Sequence, residues 1–423
     1  MQNRREFIKN ASLFSAMMAA APTIVSAQGA ARTFKVAMIG SGRRAADAFN
    51  NMAEAAKKIG HNIQLVAAHD FFLEEAQRRC KQFGCDEKFA FGGGDGYFKM
   101  LDVPGIEIVI LGAPPAFRPR HLDACIKAGK HVFAEKPIAV DPQGVRHILE
   151  ITAAAKAKQL TLVTGTQRRH QGAYMRQALA FQKGQLGTIR GGNIYWCQAR
   201  GSIRPRKEGV TNAQYMCNNW MNWAEMSGDH IVEQHVHNID VANWFIGRYP
   251  RTAMGVGARV RRPTGNQYDF FSVDFDYGDG LHIHSLARQI PGCAGRVGEL
   301  FATELAEISG GGKVRRYDGE EIKLEDVGNE GNPYVNEHSA LLDSVIHGKQ
   351  LNEGETIAYA TAAAIMGRLS AYTGQVVRMS DILTNKDSPF YNMNCKPAAI
   401  DFEGTADIEL PEENVAPRPG KDK

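Results

Sequence analysis

Residues 34–45 read Phe34-Lys35-Val36-Ala37-Met38-Ile39-Gly40-Ser41-Gly42-Arg43-Arg44-Ala45, a short apolar run that breaks into a Gly-x-Gly-x-x-Ala turn. The run has the length and residue types of a buried strand, and helical spacing follows it through Lys58. Gly40 permits the tight turn, Gly42 leaves room for a pyrophosphate against the backbone, and the small Ala45 lets the helix approach the sheet. The first turn of that helix offers free N–H groups to an anion. Apolar runs at 63–68, 106–111, 131–134 and 160–164 continue the pattern, each separated from the next by a helical stretch. Such alternation predicts parallel strands joined by right-handed crossovers, and hence a dinucleotide-binding α/β domain over residues 34–165.

Asp70 closes the second predicted strand, in Leu65-Val66-Ala67-Ala68-His69-Asp70. A carboxylate there accepts both ribose hydroxyls of an adenosine, which selects NAD over NADP. Its separation from Gly40 exceeds the usual figure of about 20 residues, as a long first helix requires. Phe71 offers no charge to a 2′-phosphate, whereas Arg43 and Arg44 lie near enough to hold one. An aspartate after a strand also serves as a helix cap, so both roles stay open for Asp70.

Two further strings are Ile108-Val109-Ile110-Leu111-Gly112-Ala113-Pro114-Pro115 and Ala128-Gly129-Lys130-His131-Val132-Phe133-Ala134-Glu135-Lys136-Pro137. They resemble the signature of the Gfo/Idh/MocA oxidoreductases, a family that includes glucose–fructose oxidoreductase and inositol dehydrogenase. The resemblance runs from about residue 34 to residue 383. It implies a Rossmann domain followed by an α/β domain whose open, largely antiparallel sheet forms the other wall of the active site. It also implies a nicotinamide dinucleotide as cofactor, NAD rather than NADP on the reading of Asp70, with Ala113, Pro114, Pro115 and Glu135 along it, and a homodimer or homotetramer. Lys136 inherits the place beside the nicotinamide and the substrate hydroxyl, where an ammonium stabilises alkoxide character. Pro137 restricts Lys136 to extended backbone. The chain departs from the pattern at Arg118, where many members carry histidine.

A second cluster lies in Ser227-Gly228-Asp229-His230-Ile231-Val232-Glu233-Gln234-His235-Val236-His237-Asn238-Ile239-Asp240. Helical spacing puts His230, Glu233, Gln234 and His237 on one face, too polar for a core stripe. By the resemblance, His237 is the histidine that contacts substrate and Glu233 its acidic partner, where many members carry aspartate. A neutral imidazole near pH 7 takes or relays the hydroxyl proton. His230 is assigned to substrate binding, and Asp240 to capping or orientation. The same residues have metal-ligand types, but they match neither HExxH nor HxxEH, and hydride transfer needs no metal. No metal is therefore expected.

Arg168 is assigned to the cofactor and Arg169 to substrate, with a domain-interface ion pair as the alternative for both. The segment 200–223 is rich in Arg, Asn and aromatic residues, and Trp220 and Trp223 suit stacking on a carbohydrate; a packed connection or oligomer contact is the other reading. Alternation at 253–260, 270–277 and 281–286 predicts antiparallel strands. Helical patterns at 336–347 and 355–373 close the second domain, assigned to residues 166–385. Residues 386–423 read as a surface-wrapping or mobile tail.

Residues 3–9 read Asn-Arg-Arg-Glu-Phe-Ile-Lys, before an uncharged stretch over 11–25 and a Val25-Ser26-Ala27 ending. This resembles a twin-arginine signal peptide over residues 1–30. It implies export of a folded protein to the periplasm by the twin-arginine machinery, without stable membrane insertion. Over 423 residues, 50 Lys+Arg stand against 46 Asp+Glu, a balance that gives no footprint for nucleic acid. The cysteines are scattered without CxxC spacing, as buried thiols are.

These readings describe an NAD-dependent oxidoreductase acting on a sugar, polyol or glycoside hydroxyl. Export removes the general supply of NAD, so the cofactor is expected to be held tightly and regenerated on the enzyme. Two alternatives remain: an NAD-dependent glycoside hydrolase working by transient oxidation and elimination, and a non-catalytic dinucleotide or sugar sensor.

Overall fold

The computed structural model describes residues 31–420; the expected signal peptide lies outside them. Strands β1 (Thr33–Ile39), β2 (Asn62–His69), β3 (Ala90–Phe91), β4 (Ile108–Leu111), β5 (His131–Ala134) and β6 (Leu162–Thr164) form one sheet in the order β3-β2-β1-β4-β5-β6. Every neighbouring pair is parallel. Alternate residues of a strand face opposite sides, and the core follows that rule. Val36, Met38, Ile108 and Ile110 pack with Phe49 and Leu341, while Ala37, Ile39, Val109 and Leu111 pack with Leu122 and Val145. Burial on both faces explains the continuous apolar runs.

The second sheet contains β7 (Ile189–Gln198), β8 (Thr252–Ala258), β9 (Phe270–Gly278), β10 (Leu281–Gln289), β11 (Arg296–Thr303), β12 (Ala306–Ser309), β13 (Val314–Arg316) and β14 (Val377–Arg378). Its order is β13-β12-β11-β7-β10-β9-β8-β14. Only β7 and β10 pair in parallel; the other neighbours are antiparallel. The chain is thus α/β, with a parallel Rossmann sheet and a mostly antiparallel second sheet. Burial alternates along β9 and β10, as in a sheet packed on one side. The packed side meets the helix Gly354–Thr373, which is buried over nearly its whole length.

One segment departs from the sequence-based division. The helix Pro333–His347, read as part of the second domain, packs on the first-domain helix Arg43–Lys58. Leu162 N then donates to Leu351 O at 2.9 Å, and Glu353 N donates to Leu162 O at 2.9 Å. The physical cause is apolar: Val335, Leu341 and Leu342 complete the layer that covers Phe34 and Val36.

The C-terminal segment wraps across both domains. Glu403 accepts from Arg120 Nε at 2.6 Å and from Tyr97 Oη at 2.8 Å, while Tyr268 Oη donates to Pro417 O at 2.6 Å. Phe402 and Ile408 are buried beside Phe117 and Tyr215. Among the described residues, no helix is long and apolar enough to cross a membrane. All seven cysteines are free; Cys80, Cys125, Cys197 and Cys217 are buried, but Cys293 is exposed.

Candidate active site

At the carboxyl ends of β1 and β2 lies a cleft of about 1200 Å³, lined by Gly40, Gly42, Arg43, Asp70, Ala113 and Pro114 of the first domain and Trp220 of the second. The glycines are there for different reasons. Gly40 has φ +80°, and a Cβ on it would lie 2.1 Å from Ala113 N. A Cβ on Gly42 would meet nothing within 4 Å, so this position faces open space. Gly42 also begins the helix Arg43–Lys58 without a side-chain cap, leaving its first N–H groups for an anion. Ala45 sits under Gly112, whose own Cβ would lie 2.6 Å from the alanine methyl. Pro115 opens the buried turn Pro115–Phe117. This cradle fits a dinucleotide pyrophosphate.

Asp70 is not the cap of the next helix, which starts from Phe72 without a side-chain cap; it braces the turns on either side of it. Its Oδ2 accepts from Ser41 N at 2.7 Å and its Oδ1 from Phe72 N at 3.0 Å, and each oxygen keeps a lone pair for a ribose hydroxyl. Burial raises its pKa from 3.8 to about 6. The anionic acceptor is therefore present above that pH and lost below it. NAD affinity is expected to be level above pH 6 and to weaken by up to about tenfold per unit below it. Calorimetric Kd values between pH 5 and 8 check this, and Asp70→Asn should abolish the slope; a slope that persists in the variant takes Asp70 out of the ribose contact.

Both arginines of the turn line the cleft, but only Arg43 is loosely held. Its side chain is almost fully exposed, 3.7 Å from Asp47. Arg44 is committed to the buried Glu135, at 2.6 Å, with Glu337 at 3.7 Å. Gly165 makes room for Glu135, since a Cβ there would lie 2.5 Å from Oε2. The unusual Arg118 is buried and donates to three carbonyls, Leu111 O at 3.1 Å, Ala113 O at 2.8 Å and Pro137 O at 3.0 Å. It ties the loop after β4 to the loop after β5.

The second loop carries Lys136 to the other domain. Lys136 Nζ donates to Glu233 O at 2.7 Å and lies 3.0 Å from Glu233 Oε1. Next to this pair, His237 is buried and stacks on Trp196 of β7, ring centroids 5.7 Å apart and 21° from parallel. Burial, then the charges of Lys136 and Arg168, hold its pKa well below the ordinary histidine value. The imidazole is neutral at pH 7. An ammonium and a carboxylate thus meet between the domains, with a neutral imidazole close enough to feel the ammonium's charge.

Several expected residues lie elsewhere. His230 and His237 are not on one helix: His230–Glu233 and Val236–Ile246 are separate helices. The turn at Gly228 (φ +80°) and Asp229 (φ +67°) starts a helix that ends after one turn, so the register is lost. His230 is buried against Phe271, ring centroids 5.1 Å apart, and not at a substrate site. Among the described residues no group of three or more ligand-type side chains is arranged to hold a metal. Trp223 is fully buried beside Tyr215 and cannot stack on a sugar. Trp220 lines the dinucleotide cleft, because the segment after β7 folds over the Gly40 and Asp70 side of the first domain. Arg169 is buried in a two-pronged ion pair with Asp240, at 2.7 and 2.8 Å. Arg168 is held by Glu299 at 2.6 Å, near His237 and not along the cofactor cleft.

Sequence reading missed Glu299. It is buried on β11, where it also accepts from Tyr174 Oη at 3.1 Å and Asn238 Nδ2 at 2.7 Å. The available signal was a lone carboxylate within Val297-Gly298-Glu299-Leu300-Phe301-Ala302, since a charge in an apolar strand needs a partner.

Comparison with known proteins gives the same two-part division. The model of the oxidoreductase family with NAD-binding Rossmann fold, GFO_IDH_MocA, matches residues 34–165, and that of the GFO/IDH/MocA C-terminal domain matches residues 174–290. Inositol 2-dehydrogenase of Rhizobium meliloti (strain 1021) is 24% identical over 221 residues, which is 52% of this chain and 59% of that protein. The chain thus spans less than two thirds of the curated relatives it matches first. The crystal structure of myo-inositol 2-dehydrogenase from Lactobacillus plantarum aligns with TM-score 0.62 at 19% identity, over 82% of this chain and 99% of that one. Aldose-aldose oxidoreductase from Caulobacter crescentus, complexed with glycerol, aligns with TM-score 0.61 at 18% identity, over 82% and 100%. At these identities the likeness is one of fold.

Proposed function

The chain belongs to the Gfo/Idh/MocA oxidoreductases, and from that premise we propose that it oxidises a hydroxyl of a sugar, polyol or glycoside. The observation that carries this reading is the Lys136–Glu233 pair bridging the NAD-binding domain and the second domain, within electrostatic reach of the neutral His237. When bound, NAD supplies the hydride acceptor. Lys136 donates a hydrogen bond to the substrate oxygen and holds the negative charge that grows there as the carbon loses hydride. Glu233 fixes the ammonium from the opposite side. His237 takes the hydroxyl proton, so the carbinol becomes a carbonyl with one hydride and one proton accounted for.

We further propose that the enzyme works in the periplasm, on the strength of the Arg4-Arg5 segment, as a homodimer or homotetramer. In that compartment the dinucleotide must stay bound and be restored in place. The test is mass spectrometry of the cofactor released from purified protein, followed by incubation with sugars deuterated at the oxidised carbon. Bound NAD that collects deuterium and passes it to a second sugar is the expected result. Cleavage of a glycoside with no net change in the cofactor would instead establish the hydrolase. A protein that neither carries nor binds NAD would overturn both.

A further inference from the structure

Beside the catalytic cluster lies a chain of amides whose polarity is set by a buried cation. Arg262 is buried; its Nε donates to Tyr268 O at 2.6 Å and its Nη2 to Gln289 Oε1 at 2.6 Å. A guanidinium only donates. Gln289 must therefore turn its carbonyl to Arg262 and its amide nitrogen the other way. Gln289 Nε2 donates to Gln234 Oε1 at 3.2 Å, and Gln198 Nε2 donates to that same oxygen. With its carbonyl taken twice, Gln234 is left with Nε2 as a pure donor, and Gln198 with Oε1 as a pure acceptor. Neither atom has a protein partner among the described residues, and both residues are only half-buried.

The position of this pair is fixed by the sheet. Gln198 and Gln289 are register partners at the ends of β7 and β10. Trp196, two residues before Gln198, shares its face of the strand and stacks on His237. Gln234 directly follows Glu233, the partner of Lys136. The free donor and the free acceptor thus border the reacting groups.

We propose that Gln234 and Gln198 form a donor–acceptor clip for adjacent hydroxyls of a neutral sugar or polyol, with Arg262 as the positioning residue that sets its polarity through Gln289. This rests on the oxidoreductase reading above and names what that substrate site recognises. A hydroxyl both accepts and donates, so one of a neighbouring pair accepts from Gln234 Nε2 while the other donates to Gln198 Oε1. The clip carries no net charge and selects by hydroxyl pattern.

Calorimetry on the full protein loaded with NADH tests the clip, with myo-inositol, D-glucose and D-xylose as probes beside their mono-deoxy congeners. At least one parent is expected to bind about tenfold tighter than a congener, the size of one neutral hydrogen bond. Gln234→Leu and Gln234→Glu both remove the donor, and the second keeps the acceptor that Gln198 and Gln289 use. Each should weaken the parent about tenfold, leave the congener and NADH unchanged, and bring the ratio near one. Absence of binding by every parent, or a ratio that survives in both variants, overturns the clip. Reduction of NAD by wild type with the same probes is scored separately. Turnover with an unchanged ratio sinks the clip alone, whereas bound NAD that no sugar, polyol or glycoside of a wide panel reduces sinks the oxidoreductase reading and leaves the binding ratio to decide the clip.

Discussion

Lys136→Ala is expected to lower kcat by about 10²–10⁴-fold, the usual cost of losing a positioned acid–base group, while the dinucleotide stays bound. The two effects separate because Lys136 meets Glu233 across the domain boundary, whereas the pyrophosphate cradle belongs to Gly40, Gly42 and the helix Arg43–Lys58. His237→Ala is expected to cost less. Burial and the charges of Lys136, Arg168 and Arg44 keep that imidazole neutral, which makes its lone pair available but also makes it a weak base. Most of the charge on the substrate oxygen must then be carried by the ammonium. The sign of the shift gives a second check: a lowered histidine pKa predicts no inflection in kcat/KM near pH 6.5, and an acid limb only at lower pH. Steady-state kinetics with calorimetric NAD binding measure both. A Lys136→Ala enzyme within tenfold of wild type would move the proton chemistry to other groups.

What the sequence made legible was whatever local chemistry constrains. The turn after β1 needs glycine at position 40 because Ala113 N leaves no space for a Cβ, and such a constraint is written in the residue itself. Lys136 was legible only through the resemblance carried by the Glu135-Lys136-Pro137 string, not through its local chemistry. The hidden parts depend on distant contacts. β7 contains Gly191 and Gly192, which carry no strand signal of their own, yet Gly192 is required because a Cβ there would lie 2.5 Å from Leu300 O on β11. β11 was obscured by Glu299, whose charge is matched by Arg168 from far away in the chain. The histidine cluster looked like one helical face because spacing alone cannot report the break beyond Glu233. Trp220 and Trp223 are three residues apart, but one lines the cleft and the other is sealed under Tyr215. That division is made by tertiary packing, including Phe402 from the C-terminal segment.

Arg118→Met is expected to destabilise the protein by about 3–5 kcal/mol, because it strips three buried carbonyls of their donor at about 1–3 kcal/mol each before relaxation. Burial lowers the Arg118 pKa to about 10, still well above neutrality, so the guanidinium stays charged and its three carbonyl contacts are charge-assisted. Methionine fills much of the space but leaves Leu111 O, Ala113 O and Pro137 O without that donor. For domains of this size the loss corresponds to a fall in Tm of roughly 10 °C. The functional consequence follows from which loops are released. Ala113 lines the cofactor cleft, and Pro137 directly follows Lys136. Freeing both ends lets the ammonium drift from its place, and a misplacement of about 1 Å costs on the order of 10²-fold in rate. Arg118→Lys should recover only part of either loss, because one ammonium on a flexible stem cannot reproduce the planar fork that spans three acceptors. Calorimetric melting, with kcat measured well below both transitions, distinguishes this from a purely structural role: such a role lowers Tm but leaves turnover of the folded enzyme intact. An Arg118→Met protein that melts and turns over with wild type would mean that the loops holding Lys136 are ordered by the strands alone.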